Sequence, residues 1–263
     1  MKPARKDNKE GYYNRSLERA LQILDAFNPQ RQALNKSELS KIIGLSRATI
    51  LRLCSTLVKY HYLRQDQESK KYSLGMRLFE QGSVIFYSLS VRKAASLPMT
   101  QLHTRIGKTI FLAILDNDEL LYIDKREDSN SIITFTSKIG TRRVPYWGMC
   151  GPVLMSFLPD EEIERLLKKF PLKAHTRKSI TDKQKFKAWL RKVRKQDFAV
   201  DPEATLEGIT GVGAPVRDFT GNVVASVGAA IFSSSLKNND LQRIVGEVSA
   251  TALRISSTLG YKP

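Results

Sequence analysis

The segment from residue 35 to residue 59 constrains the fold more than any other part of the chain, because several helix signals follow one another closely. Asn35 is a favourable helix N-cap, and Glu38 three residues later completes a capping box. Gly44 stands where a short helix needs a left-handed terminating residue, and Ser46 is a good cap for the helix that follows. The spacing predicts two short helices joined by a tight glycine turn.

The second predicted helix has one apolar and one polar face. Its apolar positions recur at helical spacing: Ile50, Leu53, Cys54 and Leu57. Its polar positions all carry hydrogen-bond donors: Arg47, Thr49, Arg52, Ser55, Thr56 and Lys59. No Asp or Glu occurs between Gly44 and Tyr60, where a carboxylate would be repelled by phosphate. The pattern predicts a helix-turn-helix whose second helix lies in the major groove, with Arg47 and Arg52 as candidates for reading guanine. An unrelated helical hairpin with a solvated face is the alternative.

A β-hairpin wing is predicted directly after this helix. Residues 62–65 and 72–74 read as two short strands around the charged turn 66–71. Lys70 and Lys71 would then lie beside the minor groove or the DNA backbone, where contacts fix register but carry little sequence information. The predicted DNA-contacting residues are Lys36, Ser46, Arg47, Thr49, Arg52, Lys59, Lys70 and Lys71.

The net charge of +17 is unevenly distributed along the chain. Residues 1–90 carry 16 basic and 8 acidic side chains, and residues 161–200 carry 13 and 5. A basic N-terminal third suits a polyanionic partner, because neutralised phosphates release counterions. Solubility alone accounts for the charge equally well. The basic block at 165–195 fits either a solvated amphipathic helix or a protein that coats DNA without sequence preference.

The chain divides into four predicted parts. Residues 1–12 are expected to form a mobile arm, 13–75 the winged helix-turn-helix, 76–90 a linker helix and 91–263 a regulatory domain. The linker helix carries a wide apolar stripe that favours dimerisation, with packing on its own C-terminal domain as the alternative: Leu78, Phe79, Gly82, Ile85, Phe86 and Leu89. In the last part, pairs of predicted strands alternate with helices, and one further strand is predicted at 132–137. This order predicts an α+β domain with a mainly antiparallel sheet.

Enzymes and membrane proteins are disfavoured by what the sequence lacks. The three histidines have no metal-ligand spacing, Cys150 has no nucleophile-elbow context, and no glycine loop follows a strand to cradle phosphate. We therefore predict no catalytic residue, no metal and no cofactor. No apolar stretch reaches about 18 residues, and the N-terminus lacks a secretory core, so a cytoplasmic protein is expected.

The chain resembles the IclR family of bacterial transcription regulators over nearly its full length. The resemblance rests on the order and spacing of several segments: LNKSELSKIIGLSRATILRLCSTL, YSLG, KTIFLAILDNDELLYIDK, GPVLMSFLPDEE and FAVDPEATLEGITGVGAPVRDFTGNVVASVGAAI. It implies an N-terminal winged helix-turn-helix, a linker helix and a C-terminal GAF-like effector-binding domain. It also implies homodimers or tetramers on palindromic double-stranded operator DNA, with a small-molecule effector altering DNA affinity.

The resemblance also implies a set of effector-binding residues: Gly148, Met149, Cys150, Asp201, Gly211, Gly228 and Ala230. The first three would begin a helix whose free amides hold a carboxylate. Members that bind small oxo-acids usually carry Cys at position 211 and Ser at positions 228 and 230. Their absence predicts a roomier, less polar pocket for a larger or aromatic acid. Asp201 either accepts a hydrogen bond from the ligand or only forms a turn before Pro202.

The function expected from the sequence is therefore a sequence-specific transcription regulator whose operator affinity responds to a small organic acid. A DNA-binding regulator without an effector and a non-specific DNA-coating protein are the alternatives. The sequence leaves open the operator, the choice between repression and activation, and whether RNA polymerase is also a partner.

Overall fold

The computed structural model describes residues 14–28, 30–88, 90–127, 137–237 and 240–262, with the backbone alone at 83–88. The chain forms two compact units, Met1–Ser88 and Leu89–Pro263. The predicted arm at residues 1–12 lies outside the described residues, as do residues 132–136 of the strand predicted at 132–137.

The N-terminal unit contains the helix-turn-helix. Its elements are α1 (Arg15–Asp25), α2 (Lys36–Ile43), α3 (Arg47–Lys59), β1 (Leu63–Gln65), β2 (Tyr72–Leu74) and α4 (Met76–Ser88). Helix α1 is capped by Asn14, whose side chain accepts from the amides of Ser16 and Leu17. The core of the unit joins α1, α2, α3 and the hairpin through buried side chains that include Ile23, Leu39, Ile50, Cys54, Leu63 and Tyr72.

The predicted turn between α2 and α3 is confirmed. Asn35 and Glu38 form the reciprocal capping box, and Gly44 ends α2 in the left-handed region at φ 76°. Ser46 caps α3 by accepting from the amide of Thr49 at 3.2 Å. Strands β1 and β2 pair antiparallel from Leu63 opposite Leu74. The hairpin therefore stands where the wing was predicted.

The C-terminal unit is built on one six-stranded antiparallel sheet. Its elements are α5 (Ser90–Ile106), β3 (Thr109–Asp116), β4 (Glu119–Arg126), β5 (Arg142–Arg143), α6 (Cys150–Ser156), α7 (Asp160–Lys169), α8 (Lys183–Gln196), β6 (Ala199–Pro202), β7 (Ile209–Arg217), β8 (Val223–Phe232) and α9 (Asp240–Thr258). The strand order is β5-β4-β3-β8-β7-β6. The predicted α+β class is confirmed; the short strands β5 and β6 were not predicted.

The two faces of this sheet have different coverings. Side chains alternate along each strand, so Ile110 and Leu112 of β3 pack toward α5 and α9, while Phe111 and Ala113 point to the opposite face. The opposite face is covered partly by α6, through Met149, Cys150 and Leu154. None of the helices within the described ranges is both long and apolar enough to cross a membrane.

Candidate functional site

The outer face of α3 is rich in exposed donors. Arg47, Arg52 and Lys59 are exposed, and the first-turn residue Lys36 of α2 is exposed as well. The hairpin exposes Lys70 and Lys71. Thr49 differs from the other predicted contacts, because it is half-buried and its hydroxyl bonds that of Ser46 at 2.9 Å. The side chains of Ser46 and Thr49 therefore serve the helix cap.

The same face of α3 includes residues that sequence reasoning missed. Ala48 and Leu51 are exposed between Arg47 and Lys59, and Leu51 is 45% exposed. An exposed leucine beside arginines suits apolar contact with a thymine methyl group. The sequence signal was available, because Leu51 lies outside the i, i+3, i+4, i+7 series that forms the buried face.

The C-terminal unit contains a cavity of about 370 Å³ on the α6 side of the sheet. All six strands contribute to its lining, which consists of Phe111, Tyr122, Ser137, Arg143, Trp147, Gly148, Met149, Asp201, Thr205, Leu206, Glu207, Ile209, Gly211, Ala230 and Phe232. Five of the seven residues predicted to bind an effector are in this set. Cys150 and Gly228 are not.

Met149 covers Gly228 and keeps it out of the cavity lining, whereas Cys150 is fully buried with its thiol directed at the Ser226 carbonyl oxygen. A Cβ atom at Gly228 would lie 2.7 Å from Cγ of Met149, and one at Gly211 would lie 2.9 Å from its Cβ. At Gly213 the added atom would lie 2.6 Å from the Met149 carbonyl oxygen. The three glycines thus form a flat bed that Met149 occupies. At positions 211 and 228 the space left by the missing Cys and Ser side chains is filled by Met149, whereas Ala230 lines the cavity.

Asp201 both lines the cavity and organises the turn after β6. One of its carboxylate oxygens accepts from the amides of Ala204 at 2.7 Å and Thr205 at 3.3 Å. Burial raises the pKa of Asp201, and its hydrogen bonds to Thr205 and Ala204 oppose that rise. The hydroxyl of Thr205 accepts from the amide of Gly148 at 3.1 Å. This network joins the turn to the segment that leads into α6.

Arg143 is the charged residue with the clearest consequence among the cavity residues that sequence reasoning missed. Its guanidinium lies 5.3 Å from the centre of the Trp147 ring. Its Nε is buried and has no hydrogen-bond partner within the described part of the chain. The preceding Arg142 differs, since it pairs with Asp116 and Glu119. Adjacent residues of a strand point to opposite faces, and among the described residues only Arg142 of the two has an ion-pair partner.

Tyr122 adds a phenol to the same wall. Its ring centre lies 5.1 Å from that of Phe111, and burial raises the pKa of the phenol. It stays protonated at neutral pH, and its side chain hydrogen-bonds Ser137. Arg143 and Asp201 are both close enough to shift this pKa, in opposite directions. An apolar ring wall with a cation, a phenol and a buried carboxyl group suits a small acid with a ring.

Two family models match the chain. One, described as the C-terminal domain of the bacterial transcriptional regulator IclR, matches residues 84–257, and the IclR helix-turn-helix domain matches residues 16–67. The chain belongs to the IclR family of bacterial transcriptional regulators. The resemblance inferred from the sequence is confirmed, and so is the expectation of a DNA-binding regulator rather than an enzyme.

Individual IclR-family proteins match along nearly the whole chain. The regulator XynR of Escherichia coli K12 is 33% identical over 246 residues, which are 94% of this chain and 97% of XynR. The IclR crystal structure from Thermotoga maritima is 28% identical with a TM-score of 0.78, covering 94% of this chain and 99% of that one. An IclR homologue from Microbacterium hydrocarbonoxydans, solved with 4-hydroxybenzoate, has a TM-score of 0.82 at 22% identity and covers 93% and 98%. The last likeness concerns the fold.

Proposed function

We propose that this IclR-family regulator changes its affinity for operator DNA when a small monocarboxylic acid with an aromatic ring occupies the cavity beside Met149. The observation that carries the proposal is Arg143. A buried guanidinium nitrogen without a protein partner is costly, and a carboxylate is the group that best satisfies it. The ligand carboxylate would therefore bind at Arg143.

The rest of the cavity supports a ring as the body of the ligand. Phe111, Tyr122, Trp147 and Phe232 supply aromatic surface, and the volume of about 370 Å³ lies within the range of small-molecule sites, roughly 300–1,000 Å³. Asp201 and the Tyr122 phenol offer hydrogen bonds to a ring hydroxyl. The 4-hydroxybenzoate bound by the Microbacterium relative has this combination of ring, carboxylate and hydroxyl.

On the DNA side, we propose that Arg47 and Arg52 read base edges and that Lys36, Lys59, Lys70 and Lys71 hold the backbone. Ser46 and Thr49 order the start of α3, so their side chains act indirectly. We further propose that the regulator works in the cytoplasm as a homodimer or tetramer, since paired reading helices match a palindromic operator.

The effector proposal is tested by thermal shift with Arg143→Gln. Wild-type protein is screened against benzoate, 4-hydroxybenzoate and cyclohexanecarboxylate, with benzamide as the uncharged probe. A ligand at 100 times its Kd stabilises the folded state by about 2.7 kcal/mol. We expect a carboxylate to raise Tm, benzamide to have little effect, and Arg143→Gln to abolish the carboxylate shift.

Arg142→Gln is the matched control, because it removes the same charge from the adjacent residue, whose ion pair lies outside the cavity lining. It should keep the ligand response. Equal stabilisation by benzamide, or an undiminished response in Arg143→Gln, would contradict the carboxylate-binding role. A flat screen, repeated with bound DNA, would favour a regulator without an effector.

A further inference from the structure

Helix α8 has an exposed surface that neither the cavity nor the reading helix accounts for. Lys185, Arg191, Lys192 and Lys195 are exposed. With 3.6 residues per turn they fall within an arc of about 120°. We call these four residues the cationic face. The buried residues Phe186, Leu190 and Val193 lie on the other side of the helix.

The other cations of α8 are already neutralised or hydrogen-bonded. Lys183 and Lys187 both pair with Glu164 of α7, Lys187 at 2.6 Å. Arg194 donates to the backbone carbonyl oxygens of Ser156 and Leu158. The four residues of the cationic face have no carboxylate partner within the described ranges, and α8 itself contains no Asp or Glu. The helix thus carries cations with protein partners toward α7 and the chain before it, and cations without a described carboxylate partner on the cationic face.

The composition of the face favours phosphate over a protein surface. Stable protein interfaces are centred on buried apolar or aromatic anchors. Ala188 and Gln184 lie among the cations, and α8 exposes no large apolar side chain. Lysine acts as a point charge that needs no shaped partner, and this suits a DNA backbone of any sequence.

We propose that the cationic face contacts the phosphate backbone of DNA flanking the operator. The chain is already a DNA-binding regulator, so this second contact forms within one complex, at a high effective concentration. Contacts too weak to hold DNA alone then add to affinity. From Lys185 to Lys195 the helix rises about 15 Å, a length that passes several phosphates.

The test compares two DNA duplexes. One is a core site selected by the full-length protein from a random pool, and the other carries about two helical turns of arbitrary sequence on each side. The triple variant K185Q/K192Q/K195Q should bind the core like wild type and the long duplex more weakly. Losing three phosphate contacts lowers the slope of log K against log salt by about 2.7, so the wild-type advantage should shrink roughly 40-fold between 50 and 200 mM salt.

The matched control is K138Q/K237Q/K262Q, which removes three exposed lysines scattered over the same unit. It should keep the wild-type salt slope on the long duplex. Equal losses in the two triple variants, or an equal loss on core and long duplexes, would overturn the proposal. So would unchanged DNA binding together with lost regulation in cells, since that result would assign the face to an acidic protein partner.

Discussion

At the scale of single residues, Asp201 shows how one side chain can both close a turn and line a cavity. Its carboxylate closes the turn to Ala204 and Thr205 while lining the cavity. Burial raises its pKa above the ordinary value of 3.8. An acid whose pKa is higher in the folded chain binds protons more readily when folded, so it lowers the free energy of unfolding as pH rises through that window.

Asp201→Asn should remove this pH dependence while keeping a side-chain oxygen for the turn. We expect wild type to lose stability relative to the variant as pH rises from about 4 toward neutrality. Urea unfolding at a series of pH values measures the difference. Asp218→Asn is the control with the opposite sign, because hydrogen bonds from Thr220 and Asn222 lower the pKa of Asp218. A pH-independent difference for Asp201→Asn would contradict the assignment.

At the scale of elements, the contact between α6 and strands β7 and β8 determines the shape of the cavity. Gly213 lets the Met149 carbonyl approach β7, and a Cβ there would meet backbone that cannot move alone. Gly246 of α9 differs, because a Cβ atom there would have no described atom within 4 Å apart from the neighbouring backbone of its own helix.

Gly213→Ala should therefore destabilise the C-terminal unit by about 2–3 kcal/mol through overpacking, whereas Gly246→Ala should stabilise it by roughly 0.5–1 kcal/mol. Thermal unfolding followed by circular dichroism compares the two. Equal Tm values for Gly213→Ala and Gly246→Ala would contradict the prediction, because they would mean that α6 can move on the sheet to make room for the added methyl group.

Local signals explain which elements were predictable. The capping box at Asn35 and the glycine at position 44 act within a few residues, so the helix-turn-helix could be read directly. Strands β5 and β6 have two and four residues, too few for alternation to show. The position of Arg143 on the cavity side and the packing of Met149 on its glycines depend on segments about 60–80 residues apart. Chain-local patterns carry no information on such packing.

At the scale of the whole molecule, the number of copies decides how DNA is read. Helix α4 exposes Met76 and Phe79, which are 68% and 69% accessible. Exposed large apolar side chains on one helix are typical of a surface that pairs. The proposed dimer would bury them and present two reading helices.

Phe79→Asp should then shift the protein toward monomer, because a carboxylate would be desolvated in the interface. Light scattering after size exclusion measures the mass. Gln81→Asp adds the same charge at an exposed neighbour on α4 and should leave the mass unchanged if Phe79 is the anchor. A monomeric wild type, or an unaltered Phe79→Asp assembly, would reject this use of α4.

The packing of Met149 on Gly211, Gly213 and Gly228 also bears on which acids the proposed site can accept. Because the Met149 side chain fills the room above Gly211 and Gly228, that side chain, and not the sheet itself, would set the size of the acid that the proposed site accepts. A shorter residue at position 149 would admit a bulkier acid while leaving every strand in register. A single substitution there would therefore change the size of the acid that the proposed site accepts.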